Sequence, residues 1–349
     1  MLHESAFTWD TKADGQACED LLVGHCENLM YVKKLIRRIA PADMTVLITG
    51  ETGTGKELAA RAIHSLSSRC NEPFVSVNCA AIPDGLLESE LFGFEKGAFT
   101  GATARQEGKL RAAHRGTIFL DEIGDMSLPT QAKILRALES REIQPLGASK
   151  ITCIDVRVVA ATHQSLEALI SEQRFRPDLY FRLNVLPLDL PPLRDRRDDI
   201  PELVDCFIQQ LNQRYHRSVL GVTMGGMDLL CGQNWPGNVR QLRNVIEGAF
   251  LVCSTQFITT GDLRLFHRCL HKEPRFARQA IAEEQPRSAG TQDPKRVLQV
   301  LQATGWNKSK AAEVLGCSRM TIYRKIARYH LHPEGTIDES ESRNLSATA

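Results

Sequence analysis

The sequence predicts an α/β fold with a mostly parallel sheet, followed by a helical segment and a small all-α domain at the C-terminus. Short β-rich runs alternate with helical patterns as far as Pro191-Pro192, and this alternation is typical of a parallel sheet covered by helices. The β-rich runs stop after those prolines, so residues 200–265 are predicted to be helical. A last helical stretch follows a linker that contains prolines and charges.

The domain boundaries follow from these changes in composition. A chain of 349 residues is long enough for two or three domains with at least one sizeable core. We predict an N-terminal extension (1–20), an α/β subdomain (21–190), a helical subdomain (191–266), a linker (267–292), a small helical C-terminal domain (293–332) and a disordered tail (333–349).

Composition excludes several classes of protein. The chain has 43 Lys+Arg against 42 Asp+Glu, so it is not strongly basic as a whole. It has neither a long apolar stretch nor a basic run followed by an apolar one at the N-terminus, and we expect a cytoplasmic protein without membrane spans. The ten cysteines include no Cys-x-x-Cys pair and are expected to be ordinary thiols. The His and Cys residues of segment 267–271 could bind a metal ion, but no second cluster of ligands lies nearby in the sequence.

The elements of the α/β region are assigned in chain order. The pattern at 128–138 places Leu128, Ala132, Leu135 and Leu138 at helical spacing, with Pro129 in the first turn, and predicts one of the helices between the strands. The β-rich runs are 45–49, 74–78, 117–120, 156–162 and 185–190.

A glycine-rich loop follows the first β-rich run and opens a helix at about Glu57. Glycines allow successive backbone N–H groups to converge on phosphates, the helix N-terminus adds partial positive charge, and Lys56 can reach the β- and γ-phosphate oxygens. Glu57 stands where Ser or Thr usually offers a hydroxyl to Mg²⁺. A glycine-rich turn without a ligand is the alternative. The predicted ATP loop is Gly50, Glu51, Thr52, Gly53, Thr54, Gly55, Lys56 and Glu57.

An acidic pair ends the third β-rich run. Asp121 and Glu122 lie at the carboxyl end of a buried strand, which is where ligands bind in open α/β sheets. Asp121 is predicted to hold Mg²⁺, and Glu122 to orient and polarise the attacking water. The alternative is that the pair caps a helix. With the phosphate loop present, ATP hydrolysis is the favoured prediction.

Six segments occur in the order of one known family. They are Gly50–Glu57, Leu91–Gly93, the loop Gly97-Ala98-Phe99-Thr100-Gly101-Ala102, Phe119–Glu122, Phe175–Leu183 and Trp235–Arg240. With them, residues 21 to 331 resemble the bacterial enhancer-binding proteins, AAA+ ATPases that activate RNA polymerase carrying sigma-54. That family also has Glu at the position of Glu57. The resemblance implies an AAA+ P-loop fold with a helical lid.

The resemblance also implies residue roles around the nucleotide. Asn78 would be a switch residue that pairs with Glu122 and couples the nucleotide state to the working loop. The other implied nucleotide contacts are Val23 and Gly24 beside the adenine, Thr162 and His163 at the first sensor, and Arg240 at the second sensor on the lid.

Two arginines match those that reach into a neighbour's ATP site. Arg176 and Arg182 would neutralise charge on the transferring phosphoryl group, so a monomer should hydrolyse ATP poorly and the active form would be a homo-oligomer, from dimer to hexameric ring. Spacing alone would favour surface charges on a helix.

The loop around Phe99 is predicted to contact sigma-54. An apolar tip between Gly97 and Gly101 is a poor core segment but suits a mobile loop that touches a partner. A tight turn with Phe99 tucked inward is the alternative. A second loop at 139–147 normally accompanies the first, and Pro145 stands where the family commonly has Arg.

The C-terminal module is predicted to be a helix-turn-helix, with helices at 294–304, 308–315 and 319–329. It carries eight Lys or Arg against two acidic residues and resembles the Fis-type DNA-binding domain. A basic helix pair that binds protein is the alternative. The expected small core is Ala311, Ala312, Leu315, Ile322 and Ile326. The expected DNA contacts are Lys308, Lys310, Ser318, Arg319, Thr321, Arg324 and Lys325.

The function expected from these features is that of a sigma-54-dependent activator. It would bind upstream enhancer DNA and use ATP hydrolysis to remodel the closed complex of sigma-54 RNA polymerase holoenzyme into the open complex. A nucleotide-controlled DNA-binding regulator that does not act through sigma-54, and a general AAA+ remodelling enzyme, are the alternatives. Only about 20 residues precede the ATPase region, so we expect no N-terminal sensor domain and control by a regulatory protein in trans or by expression level.

Overall fold

The computed structural model describes residues 21–98, 103–270, 294–315, 322 and 326. The chain divides into two compact units, residues 1–271 and 272–349. No helix in the described ranges is long and apolar enough to cross a membrane. The seven cysteines whose side chains are described are free thiols, and the described residues contain no cluster of His, Cys, Asp and Glu that could hold a metal ion.

A five-stranded parallel sheet forms the centre of the first unit. Its strands are β1 (Val46–Thr49), β2 (Phe74–Asn78), β5 (Thr117–Asp121), β8 (Arg157–Thr162) and β9 (Leu186–Asp189), in the spatial order β2-β5-β8-β1-β9. All five predicted strands are confirmed, each shifted by no more than one residue at either end. In the register, Asn78 lies opposite Asp121 and Thr49 lies opposite Thr162, so the predicted chemistry gathers at the carboxyl edge.

Helices separate the strands, as the alternating pattern predicts. Prolines stand in the first turn of three of them, where the missing N–H costs nothing. The helices of the α/β part are α1 (Glu27–Ile39), α2 (Lys56–Ser65), α3 (Asp84–Phe92), α4 (Lys109–Ala112), α5 (Leu128–Ser140), α6 (Leu166–Ser171) and α7 (Pro177–Leu183). Those of the lid are α8 (Ile200–Tyr215), α9 (Met224–Cys231), α10 (Asn238–Val252) and α11 (Thr260–Leu270).

Two apolar clusters cover the two faces of the sheet, and a third fills the lid. Helix α5 lies in one of them, but its most buried face is not the predicted leucine stripe. Leu128 is exposed, whereas Thr130, Gln131, Ile134 and Ala137 are buried. The helix is turned so that a glutamine lies in the interior.

The lid is not wholly helical, contrary to the prediction. Two strands of two residues each, β10 (Gly221–Val222) and β11 (Phe257–Ile258), pair in parallel across it. Strands of this length are too short to produce a period-2 pattern, so the sequence could not reveal them. The fully buried Trp235 anchors the break before α10, and its indole N–H donates to the carbonyl of Leu230 (2.9 Å).

Two small hairpins project from the α/β part. Strands β3 (Gly93–Phe94) and β4 (Gln106–Glu107) pair antiparallel and form the stem of the predicted sigma-54 loop. Strands β6 (Glu142–Ile143) and β7 (Thr152–Cys153) form the second stem. The stems are joined where the N–H of Leu146 donates to Gly93 O (2.9 Å) and the N–H of Glu95 donates to Leu146 O (3.0 Å).

The second unit contains α12 (Pro294–Ala303) and α13 (Lys308–Val314). The Asn307 side chain caps α13 by accepting from the N–H of Lys310 (3.3 Å). All five predicted core residues lie in one apolar cluster, which also includes Val297 and Leu301. Of the predicted third helix, only Ile322 and Ile326 are among the described residues.

Candidate nucleotide-binding site

The phosphate loop connects β1 to α2 in a conformation that only glycines adopt easily. Gly50, Gly53 and Gly55 have φ angles of 146°, 82° and 106°. The hydroxyl and the N–H of Thr54 both bond to the carbonyl of Glu51, which closes the loop. Helix α2 begins at Lys56, so its unpaired N–H groups point toward the loop.

Lys56 connects the phosphate loop to the acidic pair. Its ammonium group is almost fully buried and donates to the carbonyl of Gly50 (3.0 Å). The same nitrogen lies 3.4 Å from a carboxylate oxygen of Glu122. Strand β5 therefore delivers its acids to the loop that follows β1, although the two segments are 65 or more residues apart in the chain.

The two carboxyl groups are held in different electrostatic environments. Burial and then the neighbouring Glu122 raise the pKa of Asp121, and the charge of Lys56 opposes them. Burial also raises the pKa of Glu122, but the hydrogen bond from His163 and the charge of Lys56 outweigh it, so the net shift is downward. A carboxylate that stays ionised beside a lysine can polarise a water.

Glu122 does not pair with Asn78 in this structure, contrary to the expectation for a switch residue. Its Oε2 accepts from the His163 N–H (3.1 Å) and lies 2.7 Å from His163 Nδ1. The side-chain oxygen of Asn78 instead accepts hydrogen bonds from the N–H groups of Ala80 and Ala81 (both 3.0 Å), so a local turn occupies this oxygen. Glu122 also has the left-handed conformation (φ 53°), which costs a non-glycine residue about 1–2 kcal/mol.

The lid contacts the phosphate loop through Asn238, a fully buried residue at the start of α10. Its amide N–H₂ donates to a carboxylate oxygen of Glu51 (3.1 Å) and to the carbonyl of Thr52 (3.0 Å), while its oxygen accepts from the N–H of Leu193 (2.7 Å). Arg194 makes an ion pair with the same Glu51 (2.8 Å). One amide thus joins the loop, the lid helix and the connection between them.

Three further contacts bring the lid onto the loop. The Arg196 guanidinium is buried and donates to the carbonyl of Thr54 (3.0 Å). The backbone N–H of Arg240, the predicted second sensor, donates to Gly53 O (3.4 Å). A side chain at Gly53 would place its Cβ 2.4 Å from the carbonyl oxygen of Gly237, so this close approach requires glycine.

The predicted adenine segment is held in place by two buried charged residues. The Asp199 carboxylate, which is fully buried, accepts from the N–H groups of His25 (2.7 Å) and Cys26 (2.8 Å). Lys33 donates to Gly24 O (2.7 Å), and a Cβ on Gly24 would meet Asp199 at 2.4 Å. Val23 packs on the apolar cluster of the lid.

The two predicted trans-acting arginines lie on the α7 segment, and their side chains contact neighbouring residues of the same α/β part. Arg176 precedes the helix, is partly exposed and forms a bidentate ion pair with Asp178 (3.0 and 2.7 Å). Arg182, in the last turn, is exposed and donates to Leu138 O at the end of α5 (3.1 Å). The local interactions leave both side chains at the surface.

The predicted sigma-54 contact is described only at its base. Gly97 has a φ of 85° with open space around it, and Ala98 is close enough to Gly147 of the second hairpin that a Cβ on that glycine would clash with it. Phe99, Thr100, Gly101 and Ala102 lie outside the described residues. Pro145 lies in a turn closed by the N–H of Ala148 donating to its carbonyl.

Among the predicted DNA contacts, Lys308 and Lys310 lie in the first turn of α13 and Lys310 is exposed. Ser318, Arg319, Thr321, Arg324 and Lys325 lie outside the described residues.

Four polar residues of the site are missed by sequence reasoning: Asn238, Asp199, Arg196 and Arg194. The run 193–199 is rich in charge and resembles a solvated connection, yet Arg196 and Asp199 are buried. For the residues of this run the available signal was the charge itself, immediately after two prolines at the expected subdomain border, whereas Asn238 lies in the segment Trp235–Arg240 that resembles the family.

Comparisons with known proteins find three family matches along this chain. A protein-family model described as the sigma-54 interaction domain matches residues 22–189. Models described as the AAA+ ATPase lid domain and as a bacterial regulatory protein of the Fis family match residues 194–280 and 294–329. The three matches follow one another along the chain.

Relatives of similar organisation are 43% identical to this chain. The transcriptional regulatory protein ZraR of Salmonella typhimurium aligns over 326 residues, which are 93% of this chain and 73% of ZraR. The regulatory protein AtoC of Escherichia coli aligns over 309 residues, 87% of this chain and 67% of AtoC. The crystal structure of NtrX from Brucella abortus in complex with ATP is 36% identical with a TM-score of 0.65, covering 88% of this chain and 68% of NtrX.

Proposed function

From the premise that this chain belongs to the family of sigma-54-dependent transcriptional activators, we propose how its residues carry out that function. The chain has a sigma-54 interaction AAA+ ATPase domain, a lid and a DNA-binding helix-turn-helix of the Fis family. ATP binding is known for the related NtrX structure. The assignments to residues below are our proposal.

We infer that ATP binds at the loop Gly50–Glu57, with Val23 and Gly24 against the adenine and Arg240 over the phosphates. The convergent loop geometry and the buried ammonium of Lys56 support this assignment. The half-buried Asp121 carboxylate beside Lys56 fits a magnesium ion that takes one protein carboxylate and phosphate oxygens. When bound, Mg²⁺ would neutralise charge on the β- and γ-phosphates.

In the proposed hydrolysis step, Glu122 orients the attacking water and accepts its proton. Its lowered pKa keeps it ionised at neutral pH, and the left-handed turn after β5 points it toward Lys56. Thr162 and His163 form the first sensor, and His163 is the partner of Glu122 in this structure. Asn78 would take over that carboxylate in another nucleotide state, once its own turn opens.

Arg176 and Arg182 are proposed to act on the ATP of a neighbouring protomer. Their exposure on α7 and the lack of an ion pair with their own phosphate loop among the described residues support action in trans. A homo-oligomer, from a dimer to a hexameric ring, would then be required for efficient hydrolysis.

Hydrolysis is proposed to move the loop Gly97–Ala102 against sigma-54, so that the closed holoenzyme complex becomes open. The short stem β3–β4 and its backbone contacts to the second hairpin support a loop that moves with its neighbour. The helix-turn-helix would bind upstream DNA through the predicted contacts, which are Lys308, Lys310, Ser318, Arg319, Thr321, Arg324 and Lys325. We also propose a cytoplasmic location and control by a partner protein in trans.

The observation that carries this proposal is the position of Glu122, within 3.4 Å of the phosphate-loop lysine at the end of β5. In vitro transcription from a sigma-54 promoter with ATP tests it. Wild type should activate. Glu122→Gln should bind ATP without hydrolysing it, and Thr100→Ala should hydrolyse ATP without activating.

Normal activation by Thr100→Ala would contradict the sigma-54 contact, and normal ATP turnover by Glu122→Gln would contradict the role of the acid. The exposed Gln209→Ala on α8 is a matched control that should behave as wild type.

A further inference from the structure

A buried glutamine connects the catalytic turn to the segment that carries Arg176. Gln131 lies in the second turn of α5 and its side chain has no exposed surface. A fully buried amide is costly unless its donors and acceptor are all paired. The proposed step of ATP hydrolysis does not use this residue.

The side-chain amide of Gln131 makes three hydrogen bonds, all of them to the backbone of two segments. Its N–H₂ donates to Met126 O (2.8 Å) and to Arg174 O (3.0 Å), and its oxygen accepts from the N–H of Arg176 (2.9 Å). Met126 follows Glu122 by four residues and ends the short 3₁₀ turn Ile123–Asp125. The amide therefore joins the turn after the catalytic acid to the backbone on both sides of Phe175.

The N–H of Arg176 needs such a partner because this residue is the N-cap of α7 and its N–H has no partner within the helix. The two N–H groups before it, those of Arg174 and Phe175, both donate to Leu169 O (2.9 and 3.2 Å). Arg176 has φ −80° and ψ 127°, as expected for a residue before proline, and Pro177 starts α7. Phe175 anchors the segment in the core, which leaves the N–H of Arg176 facing α5. Gln131 is the residue of α5 whose side chain meets that N–H.

We propose that Gln131 is a positioning residue for Arg176. It holds the arginine backbone in register with the protomer's own catalytic turn, so that the guanidinium is presented to the neighbouring protomer's ATP. This inference rests on the proposed action of Arg176 in trans. The side-chain ion pair with Asp178 orients the guanidinium, and Gln131 fixes the main chain from which it extends.

Mixing two kinds of inactive protomer distinguishes a positioning role of Gln131 from a general structural role. Gln131→Met keeps the length of the side chain but removes all three hydrogen bonds, and we expect at least a tenfold loss of ATPase activity in the full-length protein. Glu122→Gln protomers are inactive in cis but keep Arg176. Mixed with Gln131→Met protomers, they should restore part of the activity, because the intact Glu122 of a Gln131→Met protomer meets an intact Arg176 wherever its neighbour is a Glu122→Gln protomer.

Arg176→Ala mixed with Glu122→Gln is the reference for action in trans. If that pair recovers activity and the Gln131→Met pair does not, Gln131 acts in cis and the inference is overturned. If the reference pair itself fails to recover, the proposed action of Arg176 in trans is wrong, and the inference falls with it. Wild-type ATPase activity of Gln131→Met alone would also overturn it.

Two further variants keep the test independent of folding. Gln209→Met makes the same chemical change on an exposed face of α8 and should retain wild-type activity. If Gln131→Met lacks the wild-type circular dichroism spectrum, Gln131→Leu is carried through the same mixing. It also removes all three hydrogen bonds with an uncharged side chain, and recovery by mixing is again the expected result.

Discussion

Replacing Asn238 by alanine should loosen the lid from the phosphate loop. The change leaves the buried N–H of Leu193 unpaired, which costs about 1–3 kcal/mol. It also removes the bonds to the partly exposed Glu51 carboxylate and to the carbonyl of Thr52. Each of these two bonds contributes about 1 kcal/mol. Alanine at φ 50° adds roughly 1 kcal/mol of backbone strain. The total is about 5 kcal/mol.

Only part of this free energy concerns the nucleotide. The two bonds to the phosphate loop join it to the lid, so about 2 kcal/mol should appear as weaker ATP binding, roughly a 30-fold increase in Kd. The remainder should lower the free energy of unfolding of the lid. Fluorescent-nucleotide titration and urea denaturation measure the two parts separately.

Asn238→Asp distinguishes the two parts. It keeps an acceptor for the Leu193 N–H and tolerates the left-handed backbone, but it sets a carboxylate against Glu51. We expect nucleotide binding at least as weak as in the alanine variant, with a smaller loss of stability. Asn234→Ala, an exposed asparagine bonded to Arg197, is the matched control. Wild-type Kd and urea midpoint for Asn238→Ala would refute the reasoning.

The remaining predictions concern pH and salt. The hydrogen bonds from Arg194 and Asn238 lower the pKa of Glu51. The stabilisation that Glu51 contributes to the folded state is therefore fully present above the ordinary carboxyl pKa of about 4.3. It is lost as the pH falls through the lower pKa of the folded state. In Glu51→Gln that part of the acid sensitivity of the urea midpoint should disappear, and an unchanged pH profile would contradict it. Arg319→Ala with Arg324→Ala should weaken DNA binding and reduce the salt slope by up to about 2, unlike Arg264→Ala on the lid.

The phosphate loop and the acidic pair could be predicted because their signals are local. Each is a short run directly after a buried strand, and parallel strands bring their carboxyl ends to one edge. The five strands and the small core of the second unit were predictable for the same reason, since apolar periodicity reports burial within one element.

Contacts between distant residues were not predictable in this way. Asn238 and Glu51 are 187 residues apart, and nothing in either neighbourhood indicates that the lid would bring them together. The leucine spacing on α5 indicated a helix but not its rotation, which buries Gln131 and exposes Leu128. The partner of Glu122 likewise depended on tertiary packing, because His163 follows β8 and is 41 residues away in the chain.

The sequence by itself determined the order of the domains, the strands and the phosphate loop, because each is encoded by residue types within a few positions of one another. The tertiary structure alone decided which polar groups meet: Asn238 on Glu51, Asp199 on the backbone of His25 and Cys26, His163 on Glu122 and Gln131 on the Arg176 backbone. Hydrogen bonds require donors and acceptors within about 3 Å, a distance set by the packing of whole elements.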